Sequence, residues 1–372
     1  VFFISNIFYS QEKIIDTVQG TKQNLDEVIV KGIRAKFSSP ISYSNIYKEK
    51  LKNKNLGQDL PILLNFLPSV VTTSDAGAGI GYTGIRVRGV SPQSTNITIN
   101  GIPFNDPESM GTFWVNLPDF TSSVQSLQLQ RGIGTSTNGS GAFGASINIL
   151  TDNISQTPYA EISSSFGSFN TRKNTIKFST GKINDVFEFS GRFSKIDSDG
   201  YVDRAFSDLK SYFIQGTYLK GSTLIKAISF AGHEKTYQSW YGLTMDQLKE
   251  NRRQNPYTYE NEIDNYKQDH YQLHWNEKIN NFWSFNLGLN YTYGRGYFEQ
   301  YREDDNIDIY GGIVSSDTNL NGEKTDTTDL IRRRWLDNDF YVFNSSLNFV
   351  KNKIDLTISS SYSSYVGDHF GE

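Results

Sequence analysis

Four histidines, His233, His270, His274 and His369, are the only imidazoles in the chain. His270 and His274 are four apart, a spacing that suits a metal pair on one helix face. Their neighbourhood instead alternates with period two, setting Tyr271, Leu273 and Trp275 against polar residues. Four residues along a strand span about 13 Å, too far for one ion. The run Gly79-Ile80-Gly81-Tyr82-Thr83-Gly84 spells G-x-G-x-x-G. A dinucleotide fingerprint needs a strand before it and a helix after it, so that the phosphate meets a helix N-terminus. Here a strand pattern over 85–90 follows. No G-x-S-x-G elbow occurs, and the absence of Cys rules out thiol catalysis, disulfides and Cys-ligated zinc. Glu303, Asp304, Asp305 and Asp308 could offer oxygen ligands to calcium but read as a solvated loop. These residues therefore predict no catalytic group, no metal and no cofactor.

The scaffold is rich in rings. Of 372 residues 14% are aromatic (25 Phe, 22 Tyr, 5 Trp), yet all hydrophobic residues together make only 37%. That balance fits a β-rich chain with one polar side. The length allows two or three domains, or one large β domain, at about 150 residues each. The net charge of −4 lacks the basic footprint of a nucleic-acid partner, so none is expected. No run of about 18 apolar residues occurs, so no transmembrane helix is expected.

Residues 1–11, opening VFFISNIFY, read as the remnant of a secretory signal. A polar linker, 12–36, follows and contains Leu25, Asp26, Glu27, Val28, Ile29 and Val30. Residues 37–152 mix short elements, as a small α+β domain does. A helix is predicted over 57–66, with Leu60, Leu63, Leu64 and Leu67 apolar and Pro68 as the stop. Strands are predicted over 84–90, 96–100, 126–131 and 145–151, with a turn at Asn100-Gly101 and a helical turn over 119–124. Residues 153–372 change to period-two alternation. Phe285, Leu287, Leu289, Tyr291 and Tyr293 point one way, and Ser284, Asn286, Gly288, Asn290, Thr292 and Gly294 the other. Phe187, Phe189 and Phe193 repeat the pattern, as do Tyr341, Phe343, Leu347 and Phe349. About nine such strands are predicted, near 158–167, 170–180, 185–196, 208–219, 222–234, 265–277, 282–299, 334–349 and 354–366. After the first hairpin their connections alternate short and long. Short turns on one end and long loops on the other are the habit of a transmembrane β-barrel, and most of the strands are long enough to span a bilayer.

The residues resemble the TonB-dependent receptor family, of the Bacteroidetes type, over essentially the whole chain. The resemblance rests on Gly57-Gln58-Asp59-Leu60, Leu67-Pro68-Ser69-Val70 and Ile85-Arg86-Val87-Arg88-Gly89. It continues through Ile99-Asn100-Gly101-Ile102-Pro103, Leu117-Pro118 and the run from Val124 to Arg131-Gly132. It ends in Gly141-Ala142-Phe143-Gly144-Ala145-Ser146-Ile147-Asn148-Ile149, and the shared order carries more weight than any one motif. The resemblance implies an α+β plug followed by antiparallel strands of a barrel of about 22. The nine strands here would then be an incomplete wall, an open curved sheet that cannot close alone.

Leu25 to Val30 look like a TonB box, with Val28, Ile29 and Val30 suited to β-augmentation by TonB of the inner-membrane energising complex. The resemblance also implies that Arg86, Arg88 and Arg131 pair with wall carboxylates and lock plug to wall. Glu161, Glu188 and Glu277 lie in strands, and only those facing inward could serve. Ligand contact is implied on the apical loops 75–83 and 103–114, through Asp75, Tyr82, Asn105, Asp106, Glu108, Phe113 and Trp114. The expected protein is an importer and not an enzyme. It would sit among outer-membrane lipid of a Gram-negative cell and take up a scarce small-molecule ligand, a ferric siderophore first on family grounds. Glycan, peptide or cobalamin import is the alternative. A passive porin or surface-binding protein, which needs neither plug nor box, is the reading from another class.

Overall fold

The computed structural model describes residues 34–37, 39–133, 143–311, 322 and 326–372. The signal remnant and TonB box expected within 1–30 lie outside the described residues.

The N-terminal domain is built on strands β1 (Ser42–Tyr47), β4 (Thr95–Ile99), β5 (Ile102–Pro103), β6 (Val124–Arg131) and β7 (Ala145–Thr151). They form one sheet in the order β1-β6-β7-β4-β5, with β4 and β7 parallel. A separate hairpin pairs β2 (Val70–Ser74) with β3 (Thr83–Val87). Two short helices, α1 (Lys48–Lys52) and α2 (Leu60–Leu63), pack beside the sheet. The helix expected over 57–66 is thus a single turn. Gly57 has φ +127 and Asp59 is extended, so the helix starts only at Leu60, with Pro61 in its first turn. Leu64 and Leu67 still reach the core, but from turns. The strand expected to run to residue 90 stops at Val87, because Arg88 and Gly89 turn into the left-handed region. The G-x-G-x-x-G letters accordingly run into β3 rather than into a helix. The turn expected over 119–124 is a 3-10 helix, Phe120–Ser123.

Nine further strands form one antiparallel meander: β8 (Tyr159–Phe166), β9 (Arg172–Ser179), β10 (Phe187–Ser198), β11 (Ser207–Lys220), β12 (Thr223–Tyr237), β13 (Ile263–Lys278), β14 (Trp283–Asn306), β15 (Thr327–Lys351) and β16 (Ile354–Gly371). Each pairs with its sequence neighbours, and β8 and β16 pair on one side only, so the sheet is open, as expected. Several strands run longer than their alternation suggested. At 24 and 25 residues β14 and β15 exceed the roughly 9–11 residues a bilayer needs. Connections 180–186, 221–222, 279–282 and 352–353 lie at one end of the sheet. The long ones 199–206 and 238–262 lie at the other, and 238–262 carries α3 (Met245–Glu250).

Which face of the wall is buried separates a membrane barrel from a soluble sandwich. Phe187, Phe189, Phe193, Tyr271, Leu273, Trp275, Leu289, Tyr341 and Phe343 are all exposed, Phe189 by 43% and Tyr341 by 48%. Rings on neighbouring strands stack across this face, Tyr271 on Tyr291 and Tyr291 on Tyr341 with centroids 6.1 and 4.9 Å apart. The polar alternates, among them Lys177, Glu188, Arg192, Gln215, Lys226 and Glu234, are buried. A soluble β-sandwich puts its apolar face inward, whereas a membrane barrel wears it outside. The buried side of the wall cups the N-terminal domain. Phe213, Ile228 and Phe230 join the core that holds Ile97, Leu127 and Ile147, and Phe120 bridges them, 5.2 Å from the Phe230 ring.

Candidate functional site

The contact between domain and wall centres on one carboxylate. Asp119 follows Leu117-Pro118 and takes φ +52, a left-handed conformation that Asp tolerates better than most residues. This turn drives its side chain into β9 and β10. Lys173 Nζ lies 2.7 Å from Oδ1 and Arg192 3.5 Å from Oδ2, with all three side chains at most 4% exposed. Thr175 and Ser194 hydroxyls donate to Oδ2, and Ser122 and Asn55 to Oδ1. Arg192 also donates to the Pro118 and Asp119 carbonyls, and Ser211 to that of Pro118. Burial alone would raise the Asp119 carboxyl. Arg192 and then Lys173 more than offset it, and hold it well below the usual carboxylate range. A second knot joins Asp152 to Lys177 of β9 and to Lys48 of α1, the latter at 2.6 Å. Burial opposes ionisation there too, but the two lysines keep the carboxyl low. Gly232 of β12 completes the seat, since a Cβ there would sit 2.2 Å from the Asn116 carbonyl oxygen.

Among the described residues the most buried ion pairs between domain and wall thus join carboxylates of the domain to cations of the wall, whereas the expectation concerned arginines of the domain. Among the described residues Arg86 and Arg88 are exposed and pair with no strand carboxylate. Arg131 donates to the Pro68 carbonyl and the Ser44 hydroxyl, inside its own domain. Of the strand acids, Glu188 is buried and accepts from Ser179, Glu161 meets Lys52 of α1 at the surface, and Glu277 accepts from Ser222 and Thr223. The legible signal for these contacts was a cation recurring on inward alternates, Lys173, Lys177 and Arg192, opposite Leu117-Pro118-Asp119.

Towards the long-loop end, a crevice of about 870 Å³, partly open to solvent, lies between the loop after β5 and strands β12 to β16. Tyr82, Asn105, Asp106 and Phe113 of the two loops line it. Their roles differ. Asn105 is consumed in shaping its own loop, accepting from the Ile97 N–H and donating to the Thr95 and Met110 carbonyls. Asp106 caps the next turn, accepting from the Glu108 and Ser109 N–H groups. Three expected ligand residues do not line the crevice. Trp114, 2% exposed, belongs to the core. Glu108 reaches β16, where Tyr365 and His369 meet it at 3.1 and 3.0 Å. Asp75 is exposed, and its N–H closes the β2–β3 hairpin on the Tyr82 carbonyl.

The polar floor comes instead from wall residues that the sequence did not single out. The Tyr82 hydroxyl donates to Asp264 and lies 3.5 Å from Glu234 Oε1. Burial first, then these two carboxylates, push the Tyr82 phenol well above its ordinary range, so it stays protonated as the donor. Its ring meets Trp240 of the 238–262 loop edge-on at 5.3 Å. The neighbouring Ala76 carbonyl accepts from the N–H groups of Tyr201 and Val202. The hairpin loop therefore touches both the crevice and two long loops of the wall. His270 and His274 lie on the inner face of β13, where His270 stacks on Phe230 at 4.4 Å.

Residues 35–146 match the family model described as the TonB-dependent Receptor Plug Domain. The chain is 24% identical over 190 residues to a probable TonB-dependent siderophore receptor PirA of Acinetobacter baumannii, covering 48% of this chain and 23% of that protein. It is 25% identical over 206 residues to the ferric enterobactin receptor PirA of Pseudomonas aeruginosa, covering 50% and 28%. The match thus spans about a quarter of each relative's length. The fold matches the crystal structure of the Acinetobacter PirA with a TM-score of 0.59 at 16% identity, over 87% of this chain and 48% of that one. It matches P. aeruginosa FpvA with a TM-score of 0.64 at 10% identity, over 90% and 43%. These matches establish the plug domain and the fold but not the Bacteroidetes type. With a plug domain over residues 35–146 seated by buried ion pairs against an open sheet whose rings face outward, the chain has the fold of the TonB-dependent receptors.

Proposed function

We propose that this receptor imports a ferric siderophore across the outer membrane of a Gram-negative cell, with residues 37–152 as the plug and 153–372 as part of the wall. The observation that carries the reading is the crevice at the long-loop end, lined by plug and wall together. A ligand there touches Tyr82, whose hairpin is tied to the long loops. It sits above a plug that blocks the way and is held by the Asp119 and Asp152 knots. Passage requires those contacts to break, and the outer membrane has no ATP. The work comes from TonB, pairing with Leu25, Asp26, Glu27, Val28, Ile29 and Val30 by strand addition. The relatives are named as a probable siderophore receptor and a ferric enterobactin receptor, which favours ferric cargo. No step calls for catalysis, and the chain is read as a transporter and not an enzyme. The outward ring band lies against outer-membrane lipid.

Growth of a strain lacking the receptor, across iron-chelate, cobalamin and glycan sources, tests the cargo. A defect confined to iron limitation is expected. Normal growth on iron with a defect on cobalamin or a glycan would overturn the siderophore assignment.

A further inference from the structure

Glu234 and Asp264, 1% and 8% exposed, converge on Tyr82, which has a single hydrogen to give. Thr236 supplies one more hydroxyl to Glu234, at 3.1 Å. Of the side-chain amides that line the same crevice, Asn116 and Asn338 are buried, at 5% and 9% exposure. The Oδ1 atom of each has no hydrogen-bond partner. A buried acceptor without a donor costs about 1–3 kcal/mol, so these oxygens are unexplained by the fold alone. Among the described residues that line the crevice none is lysine or arginine. His270 lines it too, but both its ring nitrogens are taken, by Thr292 and Gln268. Two cations of β15 stand beside the lining residues without being among them. Arg332 is held by Gln300 and Tyr310, and Arg334 lies over the Phe298 ring at 5.2 Å.

We propose that this floor receives a cationic, multiply donating group of the cargo, a primary ammonium or a guanidinium, and rejects cargo whose inner end is anionic. Such a group carries several N–H donors and converts orphaned acceptors into charge-assisted bonds. An anionic end meets two buried carboxyl groups with no lysine or arginine among the described lining residues to offset them, which is discrimination against that end.

The inference rests on the import reading, and one experiment separates them. Cells with the whole receptor as sole importer receive radiolabelled iron in three forms. These are a ferric trishydroxamate with a pendant primary ammonium, the same complex with that amine acetylated, and an anionic ferric triscatecholate. The ammonium form is expected to compete for binding and uptake about tenfold better than the acetylated form, and the triscatecholate worst. In Glu234→Gln/Asp264→Asn the preference for the ammonium should vanish while the acetylated form still binds. Uptake without that preference, or favouring the triscatecholate, overturns the inference and leaves the import reading standing. No uptake of any form overturns both. The wild-type comparison decides the matter even if the double variant does not fold.

Discussion

Replacing Asp119 with Asn tests the plug lock most sharply. Asn tolerates the left-handed φ of +52 about as well as Asp, so the backbone is kept and only the charge is lost. Lys173 and Arg192 are then left at 4% and 1% exposure without their carboxylate. Breaking one side of a buried pair costs about 3–5 kcal/mol. That shifts the seating equilibrium of the plug by roughly two to four powers of ten. Hydrogen exchange on peptides covering 114–131, in detergent-solubilised whole receptor, reads this directly as lost protection. Acid provides the second axis. The folded carboxyl is held below its ordinary value. Its contribution is therefore fully present above the unfolded value, about 3.9, and is lost only as pH falls through the lower folded value. Wild-type protection over 114–131 should stay level from neutral pH down to about 4. The lock assignment fails if Asp119→Asn keeps wild-type protection, or if Arg86→Ala with Arg88→Ala loosens the plug more than Asp119→Asn does.

Three further substitutions probe the neighbouring contacts. Gly232→Ala forces a Cβ to within 2.2 Å of the Asn116 carbonyl oxygen, whereas Gly216 has nothing within 4 Å. Gly232→Ala should expose the plug to protease, at a cost of about 1–3 kcal/mol, and Gly216→Ala should not; equal sensitivity would refute the seat. Leu289→Arg places a charge on the outward band and should cost about 2–4 kcal/mol of folding into lipid vesicles near the midplane. An unchanged folding yield would mean that this face does not meet lipid. Tyr82→Phe removes the hydrogen given to Asp264 and should speed exchange in the 75–82 loop by about 1–3 kcal/mol, with β7 unaffected. Unchanged exchange in that loop would remove Tyr82 from the plug–wall contact.

The wall was the legible part of the chain. Its alternation needs only neighbouring residues, and the register of Tyr271, Tyr291 and Tyr341 across β13, β14 and β15 follows once each strand's outward face is set. Strand β7 appears at its expected bounds for the same reason. Strand β1 was missed because its polar run SYSNIY is stabilised by pairing with β6, some 80 residues away. The site was less readable. Asn105 and Asp106 drew attention as polar residues on a loop, yet they mostly hold that loop in shape. Asp119, Glu234 and Asp264 become partners only when three distant segments meet, and no spacing along the chain records that. The arginines of β3 and β6 kept the family's pattern, but their faces turn away from the strands described here.

Energised passage is the central claim, and accumulation of radiolabelled iron tests it most directly. The whole receptor is compared with a form lacking residues 25–30, in cells where it is the only route for the chelate. The account predicts surface binding unchanged and accumulation abolished, because the plug remains locked by Asp119 and Asp152. Accumulation that continues undiminished without those residues would contradict it.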